Sequence, residues 1–469
     1  MASFYVENFG CRATQADGAA VERQFRERGL ARADRASKAE LVVLNTCTVT
    51  ASADRDARAA IRRVRRENPG CQIVVTGCYA QRAPEEIAAL PGVDRVVGNS
   101  HKHRLAEIVL QQRDSGSGGR IPSAFVPLST LAFGQRPTAC PEPNGEGTHD
   151  QRPIYVSDIF AHTELLAAPV FDAANERTRP NLKVQDGCDN RCSFCVIPSV
   201  RGQSRSLLLP RILDEVNTLV AAGYREVVIS GINLGRWGRD FAAEATRFED
   251  LIRAILERTA LQKLRISSVE PMDWSHELIQ LMADSPRIAK HAHVPMQSAS
   301  DRVLRAMHRK YRPWHYRQKI EKIRAAMPTA AIGADVMVGF PGETDRDFDE
   351  TRRMVEELPF TYLHVFTYSP RPGTPAAAMR NQIPTNVARA RNQVLRDLAA
   401  QKKLAFMRSF IGKAMEAITL NVFDGTHTEC LTHNYLPLRI QGPHEANRWT
   451  RATVEDVQGG TLIATVESI

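Results

Sequence analysis

Over the first hundred residues, short apolar runs alternate with amphipathic stretches. SFYVENFGC is a brief apolar run ending near Cys11, residues 17–28 have helical spacing, and AELVVLNTC is a buried-strand run ending at Cys47. Residues 55–67 form a basic helical stretch, CQIVVTGC is a further strand ending at Cys78, and VDRVVGN closes a fourth unit. This alternation predicts a parallel sheet with helices on its faces.

The pattern dissolves between residues 112 and 178. There RDSGSGGRIP and CPEPNGEGTHDQRP concentrate Gly, Pro and Ser with little periodicity, which reads as a linker or insert. A longer alternation starts at NLKVQDG, with strands predicted at 182–185, 226–230, 264–267, 291–294, 332–338 and 362–367. Amphipathic helices fall between them, for example at 209–222 and 248–258. Six βα units without closure to eight predict an incomplete TIM-like barrel, whose chemistry belongs on the loops that follow the strands. A polar helix over 386–408 then leads to KAMEAITLNV, YLPLRIQG and TLIATVES, the short strands of a small β-barrel. The expected organisation is an α/β chain: a parallel-sheet domain at 1–111, an insert at 112–178, a (βα)6 domain at 179–408 and a β-barrel at 409–469.

Composition changes this picture in two places. The 469 residues suit about three domains, with ordinary hydrophobic and charged content for a globular protein. The formal charge of +9 favours a polyanionic partner such as nucleic acid. MASFYVENFG has neither a basic nor an apolar leader region, and no apolar run approaches the roughly 18 residues of a membrane span. The expected location is the cytoplasm, off the membrane. In that reducing setting the nine cysteines are expected to serve as metal ligands or core fillers.

GCDNRCSFC places Cys188, Cys192 and Cys195 in a C-x3-C-x2-C spacing directly after the first strand of the barrel. A 4Fe–4S cluster takes four ligands, so three thiolates leave one iron open for the amino and carboxylate groups of S-adenosylmethionine. The alternative, a zinc site with a distant fourth ligand, fits poorly, because structural zinc pairs C-x2-C knuckles. Cys11, Cys47 and Cys78 each follow a predicted strand and so share one edge of the first sheet, where a second trio of thiols could meet, with scattered buried cysteines as the alternative. Cys71 lies at the opposite end of its strand and reads as structural; Cys140 and Cys430 receive no role. Phe194 is expected near the adenine of the cofactor, with core packing as the alternative. Loops after later strands supply Ser230, Gly231 and Asn233 (SGINLG), Ser268 and Glu270 (SSVEP), Gln297 (PMQS) and Gly339 (GFPGE) as candidate cofactor residues.

Candidate RNA contacts come from basic surfaces. Arg62 and Arg66 stand on the arginine-rich helix. Arg309, Lys310 and Arg312 lie in RVLRAMHRKYRPWHYRQK, whose Tyr311, Trp314 and Tyr316 are expected to stack on bases. A solvated charged helix is the alternative for the first group. The C-terminal segment carries fewer Lys and Arg than Asp and Glu, which weakens any role for it as an RNA clamp.

Taken in order, FGC, NTCTVT, TGC, GCDNRCSFC, GINLG, RISSVEP, HVPMQS, MVGFPGET and YSPRPGTP resemble the radical S-adenosylmethionine methylthiotransferases, the MiaB/RimO/MtaB group, over nearly the whole chain. The resemblance implies an N-terminal methylthiotransferase domain, a radical domain and a C-terminal TRAM barrel. It implies auxiliary 4Fe–4S ligands at Cys11, Cys47 and Cys78 and radical-cluster ligands at Cys188, Cys192 and Cys195. It further implies two S-adenosylmethionine molecules, one methylating a sulfur held at the auxiliary cluster and one yielding the radical that abstracts hydrogen from the substrate carbon. NTCTVT, through Thr48, Val49 and Thr50, is similar to the MtaB-type subgroup that acts on N6-threonylcarbamoyladenosine at position 37 of tRNA, in the anticodon stem-loop. The implied partners are tRNA and an electron donor such as flavodoxin or ferredoxin, with no DNA. Isopentenyladenosine in tRNA and a ribosomal-protein aspartate stay open as substrates, as does a non-catalytic iron–sulfur RNA-binding protein. Ala299 in MQSAS stands where this group usually has Gly.

Overall fold

A computed structural model describes residues 2–111, 153–162, 165, 179–242 and 246–467. Cys140 and most of the predicted insert lie outside the described residues.

The N-terminal domain is a wholly parallel six-stranded sheet. Its strands are β1 (Ser3–Asn8), β2 (Ala31–Arg32), β3 (Leu41–Thr46), β4 (Gln72–Gly77), β5 (Arg95–Gly98) and β6 (Ile154–Tyr155), in the order β2-β1-β3-β4-β5-β6. The central β3 is buried along its whole length, as expected for a strand covered on both faces. Residues 153–162, assigned to the insert by composition, instead complete this domain: β6 adds to the sheet edge and Ile159–Ala161 packs onto the helix Ile197–Arg201. An isolated two-residue edge strand leaves little periodicity to read.

The second domain contains β7 (Asn181–Lys183), a short antiparallel pair β8 (Gln185–Asp186) and β9 (Arg205–Ser206), then β10 (Glu226–Ser230), β11 (Lys263–Ile266), β12 (His291–His293), β13 (Ala331–Val338) and β14 (Tyr362–Thr367). Parallel pairing runs β7-β10-β11 and β12-β13-β14, and the bridges Leu264 to Ile288 and Ser268 to His293 join the two halves. The result is the expected six-stranded open barrel. Outward side chains such as Leu264, Ile266 and Ile332 share one apolar core with the surrounding helices.

The C-terminal domain is a closed barrel of β15 (Ala414–Phe423), β16 (His427–Thr432), β17 (Pro437–Gln441), β18 (Trp449–Gln458) and β19 (Thr461–Val466), in the order β15-β16-β17-β19-β18. Cys430 fills its core beside Leu438 and Ile440, and Cys71 fills the first domain's core beside Val42 and Ile73. Neither reaches a cysteine trio.

Candidate active site

The sheet edge gathers the first trio. Cys11 follows β1, Cys47 follows β3 and Cys78 opens the helix Cys78–Arg82 after β4. Two glycines permit this convergence. Gly10 has φ +101°, and a β-carbon there would lie 2.6 Å from Cys47 Cβ and 2.9 Å from its Sγ. Gly77, at φ +98°, would bring a β-carbon within 2.3 Å of the Thr46 carbonyl oxygen. Burial pushes the Cys47 thiol up to about 12, and the neighbouring Cys78 and Cys11 sulfurs add to the shift. Asn99 Nδ2 donates to Cys78 Sγ at 3.5 Å and to the Val200 carbonyl at 2.7 Å.

The second trio sits on the loop after β8. Cys188 N–H donates to Gly202 O at 3.1 Å, and Cys195 N–H to Cys192 O at 3.1 Å. Ser193 is anchored on both sides, its Oγ donating to Ala306 O at 2.7 Å and its carbonyl accepting from Ala376 N–H at 2.8 Å. Burial raises the Cys195 thiol to about 12 and also raises Cys188, with neighbouring sulfurs adding to both. Two nitrogen donors face the sulfurs: Arg309 Nη1 lies 3.2 Å from Cys192 Sγ and Asn233 Nδ2 lies 3.7 Å from Cys188 Sγ.

The trios are neighbours in space. Cys78 packs against Val196, which directly follows Cys195, and against Val200 of the helix Ile197–Arg201. Behind them lies a buried ionic cluster spanning both domains: Asp17 and Lys102 from the first, Lys183, Asp186 and Arg201 from the second. Lys183 donates to both carboxylates, Arg201 donates to Asp186 at 2.9 Å and to Asp17 at 2.9 Å, and Lys102 reaches Asp17 at 3.1 Å. Burial works to raise the Asp17 carboxyl, but Arg201, Lys102 and Lys183 outweigh it and hold it down at about 2.

A cavity of about 960 Å³ fills the barrel lumen. Cys11 and Val49 line it from the first domain, and Ser230, Gly231 and Ser268 line it from the barrel's C-terminal ends. Deeper down, the inward positions of β11 to β14 supply Arg265, His291, His293 and Asp335. Tyr362 bridges His293 Nδ1 at 2.9 Å and His291 Nε2 at 3.0 Å, while Asp335 lies 3.1 Å from His293 and 3.2 Å from His364. Tyr435 of the C-terminal barrel forms part of the floor, its hydroxyl donating to Glu226.

Residues 3–98 match Uncharacterized protein family UPF0004, and residues 182–355 match the Radical SAM superfamily. The threonylcarbamoyladenosine tRNA methylthiotransferase MtaB of Bacillus subtilis is 35% identical over 95% of this chain and 92% of that protein. The chain belongs to the radical S-adenosylmethionine methylthiotransferase family. A tRNA-2-methylthio-N(6)-dimethylallyladenosine synthase of Akkermansia muciniphila is 31% identical over 89% of this chain and 88% of its own length. Among solved structures, the radical S-adenosylmethionine methyltransferase TsrM of Kitasatospora setae has a TM-score of 0.54 at 16% identity. It covers 80% of this chain and 74% of that one, a likeness of fold.

This methylthiotransferase carries a donor set that suits the family's iron–sulfur clusters and S-adenosylmethionine. Each trio consists of thiols alone, and burial raises Cys47 in the first and Cys188 and Cys195 in the second, so positive iron is what would favour their thiolate form. Around the second trio, Ser230 Oγ, Asn233 Oδ1 and Gln297 Oε1 are buried without a hydrogen-bond partner. Gln297 holds φ +61°, with its N–H on Asp335 O at 2.8 Å. Gly231 approaches Gln185, whose Oε1 also accepts from Asn233 N–H at 2.7 Å. Phe194 packs beside Val303, Met307, Met337 and Phe340, the apolar-cluster alternative. Gly339, at φ +75°, makes its close approach to Ala388 of the helix Thr385–Arg408, where a β-carbon would come within 2.6 Å.

Several assignments shift. Arg309, grouped by sequence with RNA-contacting cations, is buried between Cys192 and the Glu270 carboxylate. Tyr311 and Tyr316 are core residues whose hydroxyls donate to the Met296 and Val294 carbonyls, so neither can stack on a base; Trp314 is exposed. Arg312 is half-buried and paired with Asp301 at 3.2 Å, while Lys310, Arg62 and Arg66 are exposed. Of the NTCTVT discriminators only Val49 faces the cavity. Thr48 is buried, bonding Asp54 at 2.6 Å and accepting from Arg371 at 2.9 Å, and Thr50 caps the helix Ala51–Glu67.

The sequence reading missed Arg371, Arg201, Lys183, Arg265 and the histidines. For Arg265, His291 and His293 the signal was present as polar residues at alternate positions of buried parallel strands, LRI and HAH, which point into the lumen; Arg201 and Arg371 lie outside the strands and carried no such signal.

Proposed function

We propose that this enzyme attaches a methylthio group to N6-threonylcarbamoyladenosine beside the anticodon of tRNA. The adjacency of the two cysteine trios, with Cys78 packed on the residues after Cys195, carries the reading. It lets a radical source and a sulfur source address one substrate atom at the mouth of the lumen. The substrate class follows the relatives named MtaB and the NTCTVT sequence, whose Val49 lines the lumen.

Cys188, Cys192 and Cys195 would hold a 4Fe–4S cluster with S-adenosylmethionine, and Cys11, Cys47 and Cys78 a second cluster. Bound there, these groups supply one-electron cleavage of the sulfonium and the sulfur to be transferred. The protein's own work is positional. Arg309 donates to Cys192 Sγ and is itself held by Glu270, which fixes the charge beside the radical trio. Asn233 and Ser230 offer unpaired polar atoms to the cofactor. The apolar cluster around Phe194 keeps water from that side. Exposed Arg62, Arg66, Lys310 and Trp314 provide contacts for RNA phosphates and bases. Reducing equivalents come from a small electron-transfer protein such as flavodoxin or ferredoxin, and the reaction runs in the cytoplasm.

Mass spectrometry of nucleosides from a deletion strain tests the reading. Loss of 2-methylthio-N6-threonylcarbamoyladenosine alone is expected. Loss of methylthiolated isopentenyladenosine in its place would transfer the assignment to that substrate.

A further inference from the structure

Among the described residues, the lower lumen holds two guanidiniums that no carboxylate ion-pairs. On β11, Leu264 and Ile266 point into the outer core, so Arg265 points inward. It is only 8% exposed, and its Nε and Nη1 are buried without a partner. Its remaining contacts are neutral: Nη2 lies 3.4 Å from His291 Nε2, and the guanidinium lies 4.3 Å from the Tyr435 ring centre. Arg12, on the first turn of the helix Arg12–Glu27, opens into the same cavity, where burial and then the charge of Arg265 lower its guanidinium pKa.

The nearby acids are already engaged. Glu226 accepts from Tyr435 and acts on Arg179 and Arg265 only across a distance, and Asp335 is shared by His293 and His364. Among the described residues no carboxylate is ion-paired with Arg12 or Arg265. A guanidinium taken out of water without an anion is costly, and its planar fork matches a carboxylate. We propose that Arg265, with Arg12 beside it, receives the carboxylate of the amino-acid substituent on the substrate nucleoside. This rests on the threonylcarbamoyladenosine reading. A purely hydrocarbon substituent would leave both guanidiniums without an ion-pair partner.

The same chemistry could come from an RNA phosphate or from the carboxylate of S-adenosylmethionine, and the test separates the three. Binding is measured anaerobically on the reconstituted holoenzyme with anticodon stem-loops carrying N6-threonylcarbamoyladenosine, its carboxamide analogue or plain adenosine. The wild type should prefer the free carboxylate by between about 10-fold and 100-fold, the worth of a charge-assisted hydrogen bond. Arg265→Met and Arg12→Gln should each remove most of that preference. An equal loss on all three RNAs would mean phosphate recognition, and a loss of S-adenosylmethionine binding with the RNA preference intact would mean cofactor recognition. Either overturns the proposal, as does an unchanged preference in both variants. Iron content reports whether the variants fold, and Arg12→Gln carries the test if Arg265→Met loses its iron. A wild type that ignores the threonylcarbamoyl stem-loop but modifies an isopentenyl one would instead refute the substrate reading.

Discussion

Arg201 donates to Asp17 at 2.9 Å, tying the helix that follows Cys195 to the helix that follows Cys11. The bond crosses the boundary between the domains. Its partners Lys183, Lys102 and Asp186 are all buried, so the contact is shielded from solvent screening.

Asp17→Ala should therefore leave three cations short of an anion and destabilise the protein by about 3–5 kcal/mol. The pH dependence follows from the depressed Asp17 carboxyl, at about 2 against a usual 3.8. Its contribution is full above the unfolded value and is lost as pH falls from about 4 towards 2. Thermal melts of wild type and Asp17→Ala should accordingly converge at the acid end. A constant gap between them would assign the stability elsewhere.

Gly10→Ala should block the first cluster alone, because its new methyl meets Cys47 Sγ at 2.9 Å in a left-handed backbone. Iron should fall from about eight to about four per chain. S-adenosylmethionine cleavage should persist while methylthio product disappears.

The two trios should separate by function. Cys192→Ala should abolish 5′-deoxyadenosine formation. Cys47→Ala should retain some cleavage yet yield no methylthio product, and product from Cys47→Ala would disprove the auxiliary assignment. Chromatography of 5′-deoxyadenosine and of digested RNA reads both.

Arg309→Met removes a cationic donor from Cys192, and donors to cluster sulfurs raise reduction potential. The radical cluster should become harder to reduce by about 60 mV, the one-electron equivalent of about 1.4 kcal/mol. Arg309→Lys should recover part of that shift in an anaerobic potentiometric titration.

The NTCTVT residues should divide by role. Thr50→Ala loses a helix cap and about 1 kcal/mol of stability. Val49→Ala, at a position 47% exposed on the cavity wall, should change KM for the RNA with little effect on melting temperature.

The three-domain order, the barrel strands and both cysteine trios were legible because periodicity and spacing are local signals. β10 and β14 matched their predicted spans, since each is a clear apolar run between breakers. Arg309 misled because a cation next to Lys310 and Arg312 looks like surface until the fold turns it onto Cys192. Tyr311 and Tyr316 misled for the same reason, basic neighbours masking a buried loop residue and a buried helix face. The Asp17–Lys183 contact joins positions far apart in sequence, and no pattern in either stretch announces the other.

Tyr435 also bears on how RNA can be delivered. Because this side chain belongs to the C-terminal barrel yet stoppers the base of the reaction chamber, that barrel cannot swing freely as a tethered arm without draining the vessel it seals. Asn434, bonded to Thr329, and Asn447, bonded to Gly223, rivet it in place.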